Sequence, residues 1–214
     1  MDLRYQYWHW QGVLSNEICD KIIKLGKTKI SEKATVGFEK EKLNETLRKS
    51  NVCWFNDKWL YDLLCPYVYE ANVNAGWNFE IEHSEDIQFT EYEKNGYYSW
   101  HSDGGSDHHA KYSKENTIWE SHHNKVRKLS MTVNLSHRKD YDGGDLLIKH
   151  NNQEITCKEA RDRGSIIVFP SFYQHKINPI TKGVRNSLVM WSLGNPFKWL
   201  QILYPNSINT IINI

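Results

Sequence analysis

The chain has 214 residues and a formal net charge of +1, from 27 Lys and Arg against 26 Asp and Glu. That length suits one domain able to bury a full core, and the near-neutral balance supplies no global basic field for DNA or RNA. No apolar run reaches the roughly eighteen residues of a membrane span, and the opening MDLRYQYWHW lacks the apolar stretch of a signal peptide. A cytoplasmic chain with no membrane and no nucleic-acid partner is therefore expected. Cys19, Cys53, Cys65 and Cys157 are scattered without a CxxC pair, which predicts free structural thiols in a reducing compartment.

Ser15 is placed to cap a helix carrying Ile18, Ile22, Ile23 and Leu25 at helical spacing, with Glu17 in its first turn. Residues 28–50 are polar without a period and read as a mobile segment or broken helix. A second helix is predicted from near Asn56 and Asp57, with Trp59, Leu60, Leu63, Leu64, Tyr67 and Val68 on one face. Pro66 predicts a kink or break in it, and Gly76 a stop. From about residue 78 the period becomes two: Ile87, Phe89 and Glu91 alternate with Gln88, Thr90 and Tyr92. Further strands are expected at 97–101, 128–136, 145–150, 154–158, 165–169, 174–177 and 184–193, punctuated by Gly143, Gly144, Gly164, Pro170, Pro179 and Gly183.

Helices followed by short strands predict a mainly β fold with flanking helices, a β-sandwich or jelly roll with the N-terminal helices packed outside. The whole chain, 1–214, reads as a single domain, with helical support over about 1–77 and the jelly-roll core over about 78–196. Residues 104–126 form a polar insertion, expected as a loop at the mouth of the barrel. The apolar stretch 208–214 reads as a terminal strand or docked tail.

His101 and Asp103 stand at i and i+2 of an extended segment, so both side chains leave one face and can converge on one ion. Alone, the pair is better explained as a surface turn, given Ser102, Gly104 and Gly105. His175, after the apolar run 165–170, would alone be read as a satisfied core histidine. Together the three match the 2-His-1-carboxylate facial triad, which holds Fe(II) on one face and leaves positions open, and the joint pattern favours the metal. Arg185 opens the last alternating strand, where its planar fork suits a carboxylate, a surface Arg–Glu pair being the plainer alternative. Ser187 shares its face. Tyr92, nine residues before His101, offers a phenol to the same anion or packs in the core.

The stretch QFTEYEKNGYYSWHSD (88–103) resembles the ligand-bearing segment of prolyl 4-hydroxylase-type Fe(II)/2-oxoglutarate dioxygenases. KLSMTVNLS (128–136) with DYDGGDLLI (140–148) resembles the family's central strand and Gly-Gly hairpin, and GSIIVFPSFYQHKINPITKGVRNSLVMW (164–191) its closing block. The resemblance covers about residues 80–195 and implies a double-stranded β-helix (jelly roll). It implies His101, Asp103 and His175 as catalytic iron ligands and Arg185 on the distal carboxylate of 2-oxoglutarate, assisted by Tyr92 and Ser187. Asn134 sits where relatives place a residue near the cosubstrate. The cofactors implied are Fe(II), 2-oxoglutarate and O2, with ascorbate as a family expectation. The activity implied is hydroxylation of an unactivated C–H bond, leading with peptidyl proline, on a peptide or protein substrate.

The alternatives are an oxygenase acting on another residue, a small molecule or a nucleic-acid base, and a catalytically silent jelly-roll binding module. A Ser hydrolase is disfavoured because no GxSxG elbow occurs. His108, His109, His122 and His123 are expected as solvated loop residues rather than a second metal site. Trp100, Tyr98, Tyr141 and Trp191 are candidates for a substrate groove, with core packing as the plainer role.

Overall fold

The computed structural model describes residues 3–29, 32–33, 47–104, 112 and 120–197. In chain order the elements are β1 (Trp8–Trp10), α1 (Asn16–Lys29), β2 (Glu32–Lys33), β3 (Arg48–Lys49), β4 (Asn51–Phe55) and α2 (Lys58–Asn74). There follow β5 (His83–Ser84), β6 (Ile87–Tyr92), β7 (Tyr97–His101), β8 (Val126–Asn134), β9 (Tyr141–Gly143) and β10 (Leu146–His150). The last are β11 (Gln153–Thr156), β12 (Ile166–Pro170), β13 (Gln174–Ile177), β14 (Ile180–Gly183) and β15 (Arg185–Gly194). The larger sheet runs β1-β12-β8-β15-β6-β4-β2, with β5 also on β15. The smaller sheet runs β11-β10-β13-β7-β3, and β14 and β9 form a separate ribbon. This is the expected jelly roll, with the helices on its outside.

A period of two sorts the larger sheet's side chains between two cores. Ile166 and Val168 of β12, Leu129, Met131 and Val133 of β8, and Leu188 and Met190 of β15 pack with Ile22, Leu60, Leu64 and Val68 of the helices. Ile167 and Phe169, on the opposite face of β12, pack between the sheets with Leu146, Ile148 and Ile177 of the smaller one. β12 is therefore buried on both faces, which is why its sequence is a continuous apolar run and not an alternation.

Ser15 caps α1 as expected: its hydroxyl accepts the backbone N–H of Ile18 at 3.3 Å. Gly26, late in α1, lies so close to the buried Phe89 that a Cβ there would stand 2.6 Å from the ring. Gly26→Ala would gain about 1 kcal/mol of helix propensity. The overpacking, typically about 1–3 kcal/mol, should win because Phe89 has nowhere to move. A net fall of about 1 kcal/mol in a denaturant melt is expected; a rise in stability would show that this contact is slack.

Two local features differ from the sequence reading. α2 runs unbroken through Pro66, because Pro66 is exposed and water can serve the carbonyl its ring leaves unpaired. The first 77 residues contribute strands as well as helices, β1 pairing with β12 and β4 with β6. Of segment 28–50, the end of α1, β2, β3 and residues 47 and 50 are described. Of the 104–126 insertion, residues 104, 112 and 120–126 are described, with a short 3-10 turn at Glu120–His122. The remainder of both segments, and the stretch 208–214, lie outside the described residues. All four cysteines are free thiols, and Cys19, Cys53 and Cys157 are buried. Among the described residues, no helix is long and apolar enough to cross a membrane.

Candidate metal and cosubstrate site

β7 and β13 are neighbours in the smaller sheet, and their register sets His101 directly opposite His175. Opposed residues of an antiparallel pair share a face, so both imidazoles project to the same side. Asp103 lies just past β7, where its N–H and that of Gly104 donate to the Ser171 carbonyl at 2.9 and 3.0 Å. These bonds tie the turn after β7 to the turn after β12. The three side chains then meet: His101 Nε2 is 3.7 Å from Asp103 Oδ1, and His175 Nε2 is 3.4 Å from Asp103 Oδ2. One ligand atom from each lies within 4.8 Å of the others, and no other such cluster occurs among the described residues.

The tautomers follow from the surroundings. His101 Nδ1 faces the Ser99 carbonyl at 2.8 Å, and His175 Nδ1 faces the Tyr173 carbonyl at 3.1 Å. A carbonyl only accepts, so each Nδ1 carries the proton and each Nε2 presents a lone pair to the centre. Ser130 donates to Asp103 Oδ2 at 2.6 Å and is linked to Ser171 at 2.9 Å. Tyr98 stacks on the His101 ring with centroids 3.4 Å apart, and Phe169 packs edge-on against His175 at 4.7 Å. Ring orientation is thus set before any ion arrives.

Burial, and then the neighbouring His175, push His101 down to about 3. Burial works to raise Asp103, but His175, His101, Arg127 and the Ser130 hydroxyl outweigh it and hold the carboxyl at about 2. Near neutral pH these two groups are an imidazole and a carboxylate, the forms that bind a cation. A consequence follows for the metal-free protein. Unfolded His101 takes up a proton below its ordinary value of 6.5, whereas the folded chain resists it down to about 3. Stability should therefore fall on acidification across that window, by up to about 1.4 kcal/mol per pH unit from this residue. His83 and His122, also lowered mainly by burial, add in the same direction. Urea melts between pH 7 and 4 should show a shallower decline in His101→Gln; an equal slope would contradict the assignment.

Arg185, at the start of β15, lies opposite Tyr92 in register, with its guanidinium carbon 5.8 Å from the Tyr92 ring. It is 2% exposed, yet Nε has no acceptor, and NH1 donates only to Ser187 Oγ at 3.3 Å. No carboxylate pairs with it among the described residues. Burying a guanidinium is costly while its charge goes unanswered, and here the described residues leave it so. Gly144, at φ +67°, leaves room for it: a Cβ there would stand 3.1 Å from Arg185 Cδ.

One cavity between the sheets is lined by His101, Asp103, His175, Arg185, Tyr92 and Ser187. Asn134 departs from the sequence expectation, as it does not line that cavity. Its side-chain amide donates to the Ser136 and Arg161 carbonyls at 3.1 and 2.9 Å, which commits it to holding the turn after β8. Of the four aromatic candidates, Tyr98 and Trp191 line the cavity. Tyr141 is buried in the inter-sheet core, and Trp100 stands between Lys149 and Lys176. His122 stacks on His83 with ring centroids 5.2 Å apart; His108 and His109 lie outside the described residues. The cavity also holds Arg48 and Gln88, which the sequence reading missed. Gln88 was accessible in principle, because alternation along β6 puts it on the Tyr92 face.

A family model described as the 2OG-Fe(II) oxygenase superfamily matches residues 87–193, from the start of β6 to the last-but-one residue of β15. The chain belongs to that superfamily. Curated relatives include a PKHD-type hydroxylase of Alteromonas mediterranea, 35% identical over 92 residues, covering 40% of this chain and 39% of the relative. Another, from Gloeothece citriformis, is 33% identical over 105 residues, covering 49% and 41%. The chain thus spans about two fifths of the length of these relatives. Among solved structures, a viral collagen prolyl hydroxylase from Paramecium Bursaria Chlorella virus-1, as its 2OG complex, superposes with a TM-score of 0.63 at 18% identity. That match covers 89% of this chain and 97% of the viral one. A Pseudomonas putida prolyl-4-hydroxylase gives 0.62 at 16% identity, covering 88% and 92%. At such identities the superpositions establish the shared jelly-roll fold of the oxygenases.

Proposed function

We propose that this chain is an Fe(II)- and 2-oxoglutarate-dependent dioxygenase that hydroxylates an unactivated C–H bond, with peptidyl proline as the leading substrate. The observation that carries the reading is one cavity holding both a free-faced His-Asp-His cluster and a buried guanidinium without a counterion. His101, Asp103 and His175 would hold Fe(II) through two Nε2 atoms and a carboxylate, the donor set suited to non-haem iron with open positions. Arg185 would hold the distal carboxylate of 2-oxoglutarate, with Ser187 fixing one guanidinium nitrogen and Tyr92 closing the same corner. When bound, the iron with 2-oxoglutarate and O2 supplies the oxidation, releasing succinate and CO2 and leaving a hydroxyl group on the substrate.

The chain's own residues do the rest. Ser130 and the two backbone carbonyls keep the ligands aimed, and Tyr98 and Phe169 wall the imidazoles from water. The prolyl assignment is supported by structural neighbours named as prolyl hydroxylases, one of them solved with a hypoxia inducible factor peptide fragment; the curated relatives are named as PKHD-type hydroxylases. The test is incubation with Fe(II), 2-oxoglutarate and proline-containing peptides. A gain of one oxygen on proline, matched by succinate, is expected. Succinate that rises with another peptide residue, and not with proline, would keep the oxygenase and reject the prolyl substrate.

A further inference from the structure

We propose that Arg48 is a specificity-determining residue that receives a carboxylate carried by the substrate near the carbon that reacts. This rests on the oxygenase reading above and narrows its substrate class.

Arg48 lies on β3, opposite Tyr98 of β7, and is 6% exposed at the wall of the metal cavity. Its guanidinium packs over the Tyr98 ring at 4.6 Å, and that ring stacks on the metal-facing His101. Its hydrogen-bond partners among the described residues are neutral: Nε donates to Ser50 Oγ at 2.8 Å, and one terminal nitrogen to Gln88 Oε1 at 2.7 Å and Thr90 Oγ1 at 3.3 Å. The other terminal nitrogen has no acceptor among the described residues. These contacts orient the fork without neutralising it.

The charge count makes the omission consequential. Among the described residues, the cavity's charged lining is Arg48, Arg185 and Asp103. The nearby Arg127 is already answered by Glu85, which accepts from two of its nitrogens at 2.6 Å each. Fe(II) and the 2-oxoglutarate dianion cancel each other, and Arg185 offsets Asp103. Among the described residues one positive charge remains, on a buried fork shaped for a carboxylate. A neutral substrate would leave that guanidinium desolvated and unpaired, whereas an acidic one completes the pair. The carboxylate can come from a chain terminus or from an Asp or Glu beside the target residue.

The test is equilibrium binding to protein loaded anaerobically with Fe(II) and 2-oxoglutarate, using matched acid and amide ligands. N-acetyl-L-proline against its amide probes a terminal carboxylate. N-acetyl-Pro-Asp-amide against N-acetyl-Pro-Asn-amide probes a side-chain carboxylate, and N-acetyl-L-leucine against its amide removes the proline. The acid should bind about tenfold tighter or more in at least one pair. Arg48→Gln should erase that preference, and Arg48→Lys should keep part of it, which also guards against a misfolded variant. An acid preference in the leucine pair alone would sustain the inference while rejecting the prolyl substrate. Equal affinities in every pair would overturn it, as would a preference that survives Arg48→Gln, or an Arg48→Lys variant that loses 2-oxoglutarate affinity in place of acid preference.

Discussion

Replacing Asp103 with alanine is expected to abolish 2-oxoglutarate turnover while leaving the chain folded. Asp103 contributes the only carboxylate of the cluster, and it approaches both Nε2 atoms, at 3.7 and 3.4 Å. Loss of even an outer-shell partner of a metal ligand costs about 10–100-fold in affinity or activity, so loss of the ligand should cost more than about 100-fold. The fold should survive, because the adjacent half-buried cation, Arg127, keeps its ion pair with Glu85 at 2.6 Å when Asp103 is removed. Iron content and succinate release, read beside circular dichroism, check this. Turnover near the parent level in a folded variant would remove Asp103 from the ligand set.

Arg185→Met should separate binding from stability. Truncating one partner of a buried charge pair costs about 2–5 kcal/mol, so 2-oxoglutarate affinity should fall by about 100-fold or more. In the free protein the same change removes a desolvated guanidinium whose only hydrogen bond among the described residues is to Ser187. A well-packed apolar side chain of similar volume in place of a buried charge is often neutral or stabilising, so the melting temperature should hold or rise. A large stability loss with unchanged cosubstrate affinity would mean that Arg185 is a structural strut.

The convergence of His101, Asp103 and His175 was legible because these residue types declare their chemistry and β-strand geometry fixes where they point. The i, i+2 spacing of His101 and Asp103 set a shared face, although only the register of β7 on β13 shows why a residue 74 positions after His101 arrives there. Tyr92 and Ser187 followed from alternation on β6 and β15. Asn134 was placed on the right strand, but sequence does not reveal which carbonyls an amide will serve, and here they are those of Ser136 and Arg161. Arg48 escaped because β3 is two residues long, too short to show a period. β1 was missed for a similar reason, its three residues being held by pairing with β12 rather than by their own pattern. Of the kink or break expected at Pro66, the break does not occur, and that turns on an exposure that only tertiary packing decides.

The most direct measurement is anaerobic: Fe(II), then 2-oxoglutarate, added to metal-free protein while the visible spectrum is recorded. A charge-transfer band that needs both additions, and is missing in Asp103→Ala, is the predicted result. A folded, demonstrably iron-loaded protein that shows no band with 2-oxoglutarate would contradict the account at its centre.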